Sequence, residues 1–237
     1  MFYLRLATAV LGFVAASLYG VFITLVRRDR SRVASDYAHL LARLMRRPLG
    51  LDVQVSGEAH LHAQRPAIFI ANHQSMLDVP ILASLHPPDA VVVAKKELRT
   101  VPFFGWIYAA TGNIFIDRSQ RVGAVERLKA VEEEIVRRRV AVWIFPEGTR
   151  GLETGRLLPF KKGAFQMAIA TGAPLVPVVI SPLKPASDLR GRRLRRQRVD
   201  VRVLAPIPTA GLTPADLPTL LLLAQTRMQD TLEALAR

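Results

Sequence analysis

The stretch ANHQSMLDVP, residues 71 to 80, sets a histidine and an aspartate five positions apart, just after the apolar run AIFI. Five residues advance an ideal helix by about 500°, so His73 and Asp78 would diverge by roughly 140° on one regular helix. A turn between them brings them together. A strand ending near Asn72 and a helix starting at Ser75 leave His73 in the turn and let Asp78 reach back to the imidazole. A carboxylate on one ring nitrogen fixes the tautomer and frees the other nitrogen to take a proton from a hydroxyl. The plainer alternative is a helix start: Ser75-x-x-Asp78 also has the form of a capping box, with His73 merely adjacent. The other histidines, at 39, 60, 62 and 86, have no comparable setting and read as surface or structural positions.

A second cluster, FPEGTR, closes the run VAVWI. Gly148 suits a turn needing positive φ, and Arg150 carries a planar guanidinium matched to a phosphate. Glu147 has two expected uses, holding that arginine or bonding a substrate hydroxyl. The competing reading is a surface turn with a local ion pair. Arg118, after IFI, and Lys95, in AKKEL, add cations that could face the same place, although each taken alone reads more readily as a solvated charge.

The elements that must hold these groups alternate. The runs DVQVSG, PAIFIAN, AVVVAKKEL, GNIFIDR, VAVWIFPEG, PLVPVVIS and RVDVRVLAP read as strands. Helices are predicted near 78 to 85, 102 to 110, 120 to 138 and 163 to 171. The pattern predicts an α/β fold: a single domain with a mixed, largely parallel sheet flanked by helices. Three polar clusters, NHQSMLD, IDR and PEGTR, each follow a strand. Ligands gather outside the carboxyl ends of such strands, so the three are expected to converge. PADLPTLLLLAQTRMQDTLEAL reads as a closing helix, with Leu220 to Leu223 assigned to core.

Residues 1–49 read differently. Leu6 to Val26 are free of charge over 21 residues, about the length of a hydrocarbon core, and RRDRSR follows at once. The run is long for a signal peptide and no A-x-A site precedes a mature start, so an uncleaved anchor is expected. The next segment places Val33, Tyr37, Leu40, Leu41 and Leu44 at helical spacing, with Arg32, Arg43, Arg46 and Arg47 available to lipid phosphates. It reads as an interfacial helix, or else as a domain helix covering core surface. The chain thus divides into a membrane-anchoring helical segment, 1–49, and an α/β domain, 50–237. The arginines after the apolar run put that domain on the cytoplasmic face whether the first helix spans or dips into one leaflet.

Composition bounds the chemistry. The 237 residues carry 33 Lys and Arg against 19 Asp and Glu, a net charge of +14, so anionic partners are favoured. With half the residues hydrophobic, membrane attachment is in keeping. No cysteine is present, which excludes a disulfide framework, a thiolate nucleophile and a cysteine-ligated metal. The basic stretch RGRRLRRQR, residues 190 to 198, lacks the interleaved aromatics of a nucleic-acid surface and reads as a basic loop near anionic lipid. Nucleic acid is not expected as a partner.

Four blocks in order, NHQSMLD, GNIFIDR, FPEGTR and PLVPVVI, with AKKELRTVPFFGW between the first two, resemble the glycerolipid acyltransferase family over residues 50 to 185. They are most similar to its branch acting on lysophosphatidic acid. The resemblance implies transfer of a fatty acyl group from acyl-CoA or acyl-carrier protein to the 2-hydroxyl of a lysophosphatidate at a membrane, forming phosphatidic acid, with no cofactor and no metal. It assigns His73 as base and Asp78 as its partner. Arg118, Glu147, Gly148, Thr149 and Arg150 fall on acceptor-binding blocks, with Lys95 as a phosphate contact ahead of Lys96. An N-terminal pair of membrane-associated helices is also a family feature. Related acceptors, namely glycerol 3-phosphate, lyso-ornithine lipid and other lysolipids, and a non-catalytic lipid binder, remain as alternatives. The residues themselves favour direct attack, since no cysteine and no G-x-S-x-G elbow supports an acyl-enzyme. Ser75 is the one minor candidate nucleophile.

Overall fold

The computed structural model describes residues 1–116, 124–151, 155–183 and 191–236. Two long helices open the chain, α1 (Phe2–Val26) and α2 (Arg30–Leu49). Then follow β1 (Leu51–Ser56), β2 (Ala67–Ala71), α3 (Asp78–Ala83), β3 (Ala90–Lys95), α4 (Phe104–Ala110) and β4 (Ile114–Ile116). The remainder is α5 (Ala124–Arg138), β5 (Ala141–Ile144), α6 (Gly163–Thr171), β6 (Leu175–Ile180), β7 (Gln197–Val203) and α7 (Leu217–Ala236). The expected α/β fold is found, and the strands and helices foreseen from the apolar runs are present with ends moved by a few residues, while 120 to 123 of the helix expected over 120 to 138 lie outside the described residues.

The strands form one seven-stranded sheet in the order β1-β7-β6-β2-β5-β3-β4. Every neighbouring pair is parallel except β6 with β7. Central strand β2 reads AIFIA and is buried throughout, as a parallel strand covered on both faces must be. Ile68 and Ile70 face a core shared with α5, α6 and α7, while Phe69 and Ala71 face one built with α3 and the end of α2. Alternation along the strand therefore feeds two separate hydrophobic layers. The chain leaves β2 toward β3 and leaves β5 toward β6, in opposite directions across the sheet. The crevice between the ends of β2 and β5 is thus a topological switch point, where α/β sheets open a binding site.

The first 49 residues pack onto the domain. Helices α1 and α2 form an antiparallel hairpin; α2 also contacts α3, β1 and β3, and α1 contacts α4. Val33, Tyr37 and Leu41 are buried, so the apolar stripe of α2 covers core surface, and Arg32, Arg43 and Arg47 remain outward. Helix α1 is packed inside out. Its buried residues are mostly small, Ala9, Ala16, Ser17, Gly20 and Thr24 with Ile23, while Leu4, Leu11, Leu18, Phe22 and Leu25 are exposed. In α7, Leu220 joins the core as expected, but Leu222 and Leu223 face outward, because only one stripe of a helix can meet the sheet. Of the basic stretch 190 to 198, the described part is a turn running into β7.

Candidate active site

β2 stops at Ala71 because Asn72 uses its side chain as an extra rung of the ladder. Its Nδ2 donates to the Ile180 carbonyl at 3.0 Å and its Oδ1 accepts from the Ile180 amide at 2.8 Å. His73 follows in the turn. Its Nδ1 lies 2.7 Å from Asp78 Oδ2. A carboxylate oxygen can only accept, so Nδ1 carries the proton and Nε2 is left as the basic nitrogen. The same Oδ2 accepts from the backbone amides of Gln74 at 2.7 Å and Ser75 at 2.9 Å. One oxygen therefore closes the turn and orients the imidazole, and of the expected capping box only the Ser75 amide bond to Asp78 is found. Helix α3 begins at Asp78, later than the expected start at Ser75. Residues 75 to 77 form a turn that brings the carboxylate back over His73.

The Phe145 ring, just past β5, stacks on the imidazole with centroids 4.0 Å apart and planes 19° apart. That contact and the Asp78 bond hold the ring in one plane, and the His73 side chain keeps 20% exposure toward the crevice. Asp78 is fully buried, and its Oδ1 has no hydrogen-bond partner among the described residues.

Glu147 does something other than either expected use. Its Oε1 accepts from the His73 amide at 2.8 Å and its Oε2 from the Leu158 amide at 2.9 Å. The Gly151 amide in turn donates to the His73 carbonyl at 2.9 Å. The PEGTR turn is therefore clamped to the NHQSMLD turn through one buried carboxylate and one backbone bond. Burial raises the Glu147 carboxyl above its ordinary value, and the amides of His73 and Leu158, with the His73 side chain, oppose that rise. Gly148 sits at φ 71, the conformation expected of it, while Thr149 and Arg150 are exposed on the same turn.

The first and third polar clusters thus meet, as β2 and β5 are parallel neighbours ending at one edge. Arg118 lies outside the described residues. Lys95 ends β3, on the far side of β5 from β2, and only its backbone is described. Besides Phe145, three residues of the site escaped the sequence reading. Gln74 ties the turn to the far side, donating to the Ser181 carbonyl at 2.9 Å and accepting from the Leu183 amide at 3.1 Å. With Asn72, it is a polar residue set directly after a fully apolar strand, and that was the available signal. Arg156 lines the small cleft holding His73 and Glu147, and nothing in its local sequence marked it.

Behind Phe145 lies a cavity of about 90 Å³, walled by Val79 of α3, Trp143 of β5, Tyr37 and Leu41 of α2, and Tyr108 of α4. His86, read as surface or structural, is buried in its wall, where burial foremost and the nearby His39 push its pKa down to about 4.

Fold and site together define an α/β enzyme with an imidazole–carboxylate pair in the crevice of a largely parallel sheet. The chain belongs to the acyltransferase family, whose family model, described as Acyltransferase, matches residues 52–181. It is 38% identical to the 1-acyl-sn-glycerol-3-phosphate acyltransferase of Saccharomyces cerevisiae, over 98% of this chain and 78% of the yeast protein. The Salmonella typhimurium protein of the same name is 37% identical, over 87% of this chain and 83% of its own. The human alpha form is 39% identical over 72% of this chain and 60% of its own length. The fold matches the crystal structure of the 1-acyl-sn-glycerophosphate (LPA) acyltransferase of Thermotoga maritima. The TM-score is 0.78 at 24% identity, covering 99% of this chain and 98% of that one.

Proposed function

We propose that this chain is a 1-acyl-sn-glycerol-3-phosphate acyltransferase, moving a fatty acyl group from acyl-CoA or acyl-carrier protein to the sn-2 hydroxyl of lysophosphatidate to form phosphatidic acid. The relatives that carry this name match over most of the chain. The observation that carries the mechanism is the 2.7 Å contact between His73 Nδ1 and Asp78 Oδ2, which leaves Nε2 as the acceptor nitrogen at the crevice. Nε2 takes the proton of the 2-hydroxyl as that oxygen attacks the thioester carbonyl, the C–S bond breaks, and the proton passes on to the leaving thiolate. Asp78 stabilises the imidazolium between the two transfers. The reaction written this way needs neither a metal nor a cofactor.

The acceptor phosphate is the role we assign to Arg150, with Thr149, Lys95 and Arg118 as the further contacts. Arg156 belongs with them because it stands beside His73. Glu147 and Gly148 shape the turn that carries Arg150. The cavity behind Phe145 is apolar over most of its wall and takes the beginning of an acyl chain.

The membrane is the setting this reading requires. Helix α1 is tied to the domain near its start and at its middle, and to α2 at its end. Arg5 donates to the Leu194 carbonyl at 2.8 Å, Phe13 meets the Phe104 ring at 5.8 Å, and Arg27 pairs with Asp36. A helix so held cannot cross a core of about 30 Å without drawing the domain in with it. It therefore lies along one leaflet with its large apolar residues in lipid, and the arginines around it assign the domain to the cytoplasmic face.

The test is turnover in detergent micelles or anionic liposomes with an acyl-CoA, an acyl-carrier protein and a panel of lysolipids, following thiol release and product mass. Lysophosphatidate is the expected acceptor. His73→Ala is expected to lower kcat by roughly 10²- to 10⁴-fold with lipid association retained. Equal turnover in the variant overturns the mechanism, and preference for another lysolipid overturns the acceptor.

A further inference from the structure

Two features of the segment before α4 are costly unless something covers them. Phe103 adopts φ 61 and ψ −52, and the Phe104 amide donates to the Pro102 carbonyl at 2.6 Å. That is a γ-turn of the positive-φ hand, the rare and strained one, centred on a large aromatic residue. The turn is locked from behind by Gly105, where a Cβ would come within 2.2 Å of the Arg99 carbonyl oxygen. Its effect is to swing Phe103 outward. Phe103 is 51% exposed, Trp106 one helical turn on is 46% exposed, and Leu98 on the preceding turn is 38% exposed. Large apolar side chains grouped this way on a surface mark a contact.

The occupant follows from what adjoins the patch. Helix α4 turns Phe104, Ile107 and Tyr108 inward, against α1 and α2. Gly20 of α1 is so close that a Cβ there would stand 2.9 Å from Ile107 Cδ1. Phe103 and Trp106 are therefore carried on the outer side of a helix pressed against α1, whose own outer face is Leu11, Leu18, Phe22 and Leu25. The turn leading in bears the exposed Lys96 and Arg99, cations suited to headgroup phosphates beside an apolar wedge.

We propose that Leu98, Phe103 and Trp106 enter the acyl layer of an anionic phospholipid bilayer next to α1, as a second membrane contact. Since Tyr108 of the same helix lines the cavity behind Phe145, α4 is then the wall between that cavity and the lipid. The inference rests on α1 lying in the leaflet, and its test separates the two.

The chain has two tryptophans, Trp106 and the 5% exposed Trp143. Flotation with phosphatidylglycerol–phosphatidylcholine vesicles first measures membrane association. Fluorescence is then recorded for the wild type and Trp106→Phe on vesicles with plain or bromine-labelled acyl chains. The expected result is that brominated lipid quenches the wild type strongly and the variant little, the variant reporting any lipid that reaches Trp143. A Phe103→Gly, Trp106→Ser double variant, which relieves the turn because glycine accepts any φ, is expected to bind vesicles roughly tenfold or more weakly with turnover in micelles unchanged. Flotation with equal quenching in both proteins, or with none, overturns the second contact and leaves α1 in place. Failure to float overturns both. A lipid-free blue shift that grows with protein concentration and disappears in Trp106→Phe assigns the patch to a second copy instead.

Discussion

His73 and Asp78 owe their pairing to a turn in which one carboxylate oxygen takes three donors, an arrangement any shift of α3 would break. Glu147 is the less obvious determinant, since it fixes the backbone of His73 from a turn 74 residues away. Both its oxygens accept from amides, and glutamine has only one oxygen to offer, so one N–H would face an NH₂ group. Glu147→Gln is expected to cost about 1–3 kcal/mol of stability and to lower kcat more than it raises KM, as read from urea midpoints and turnover. The pH dependence follows from the raised carboxyl. The fold favours its protonated form, so that contribution is complete below the ordinary value of 4.5 and is lost as pH rises through the higher folded value. Urea midpoints of the wild type should decline over that window relative to those of the variant.

At the level of elements, the site depends on β2 and β5 being parallel neighbours whose chains depart in opposite directions. The α1–α2 hairpin depends on close approach. A Cβ on Gly20 would sit 2.8 Å from Tyr37 Cδ2, a contact real structures do not show. Ile107 Cδ1, at 2.9 Å, ends a flexible side chain, but Tyr37 Cδ2 belongs to a buried ring that must shift as a whole, so a branched residue overfills the contact. Gly20→Val is expected to cost about 1–3 kcal/mol and to free α1 for proteolysis, with the sheet domain still folded. The check is limited digestion followed by mass measurement of the released fragment. Retention of an intact hairpin at wild-type stability would show that α1 is held elsewhere.

Taken whole, the molecule has an apolar flank and a strongly basic remainder. Arg5, Arg46, Arg47 and Arg196 surround a cleft at one end of the α1–α2 hairpin, together with the carboxylate of Asp52. A net charge of +14 held close to a bilayer adds attraction to anionic headgroups that fades beyond a Debye length. Vesicle affinity is therefore expected to fall several-fold between low and physiological salt on phosphatidylglycerol, and to change little on neutral lipid, as measured by flotation across a salt series. The apolar contacts supply the residual binding that survives high salt.

The α/β alternation and the apolar first helix were determined by local sequence alone, because each rests on periodicity within about twenty residues. Spacing alone allowed Asp78 either to meet His73 or to cap a helix at Ser75; in the structure α3 starts only at Asp78, and the carboxylate closes the preceding turn and meets the imidazole. What only the tertiary structure decided are the contacts between distant segments. Glu147 binds the His73 and Leu158 amides, Asn72 and Gln74 bind the end of β6, and Phe145 lies flat on the imidazole. The same holds for α2, whose apolar stripe is equally suited to lipid or to protein. It turned inward because the small residues of α1 let the two helices close, leaving the large residues of α1 to face out. Local pattern states that a face must be buried; the arrangement of the whole chain settles against what.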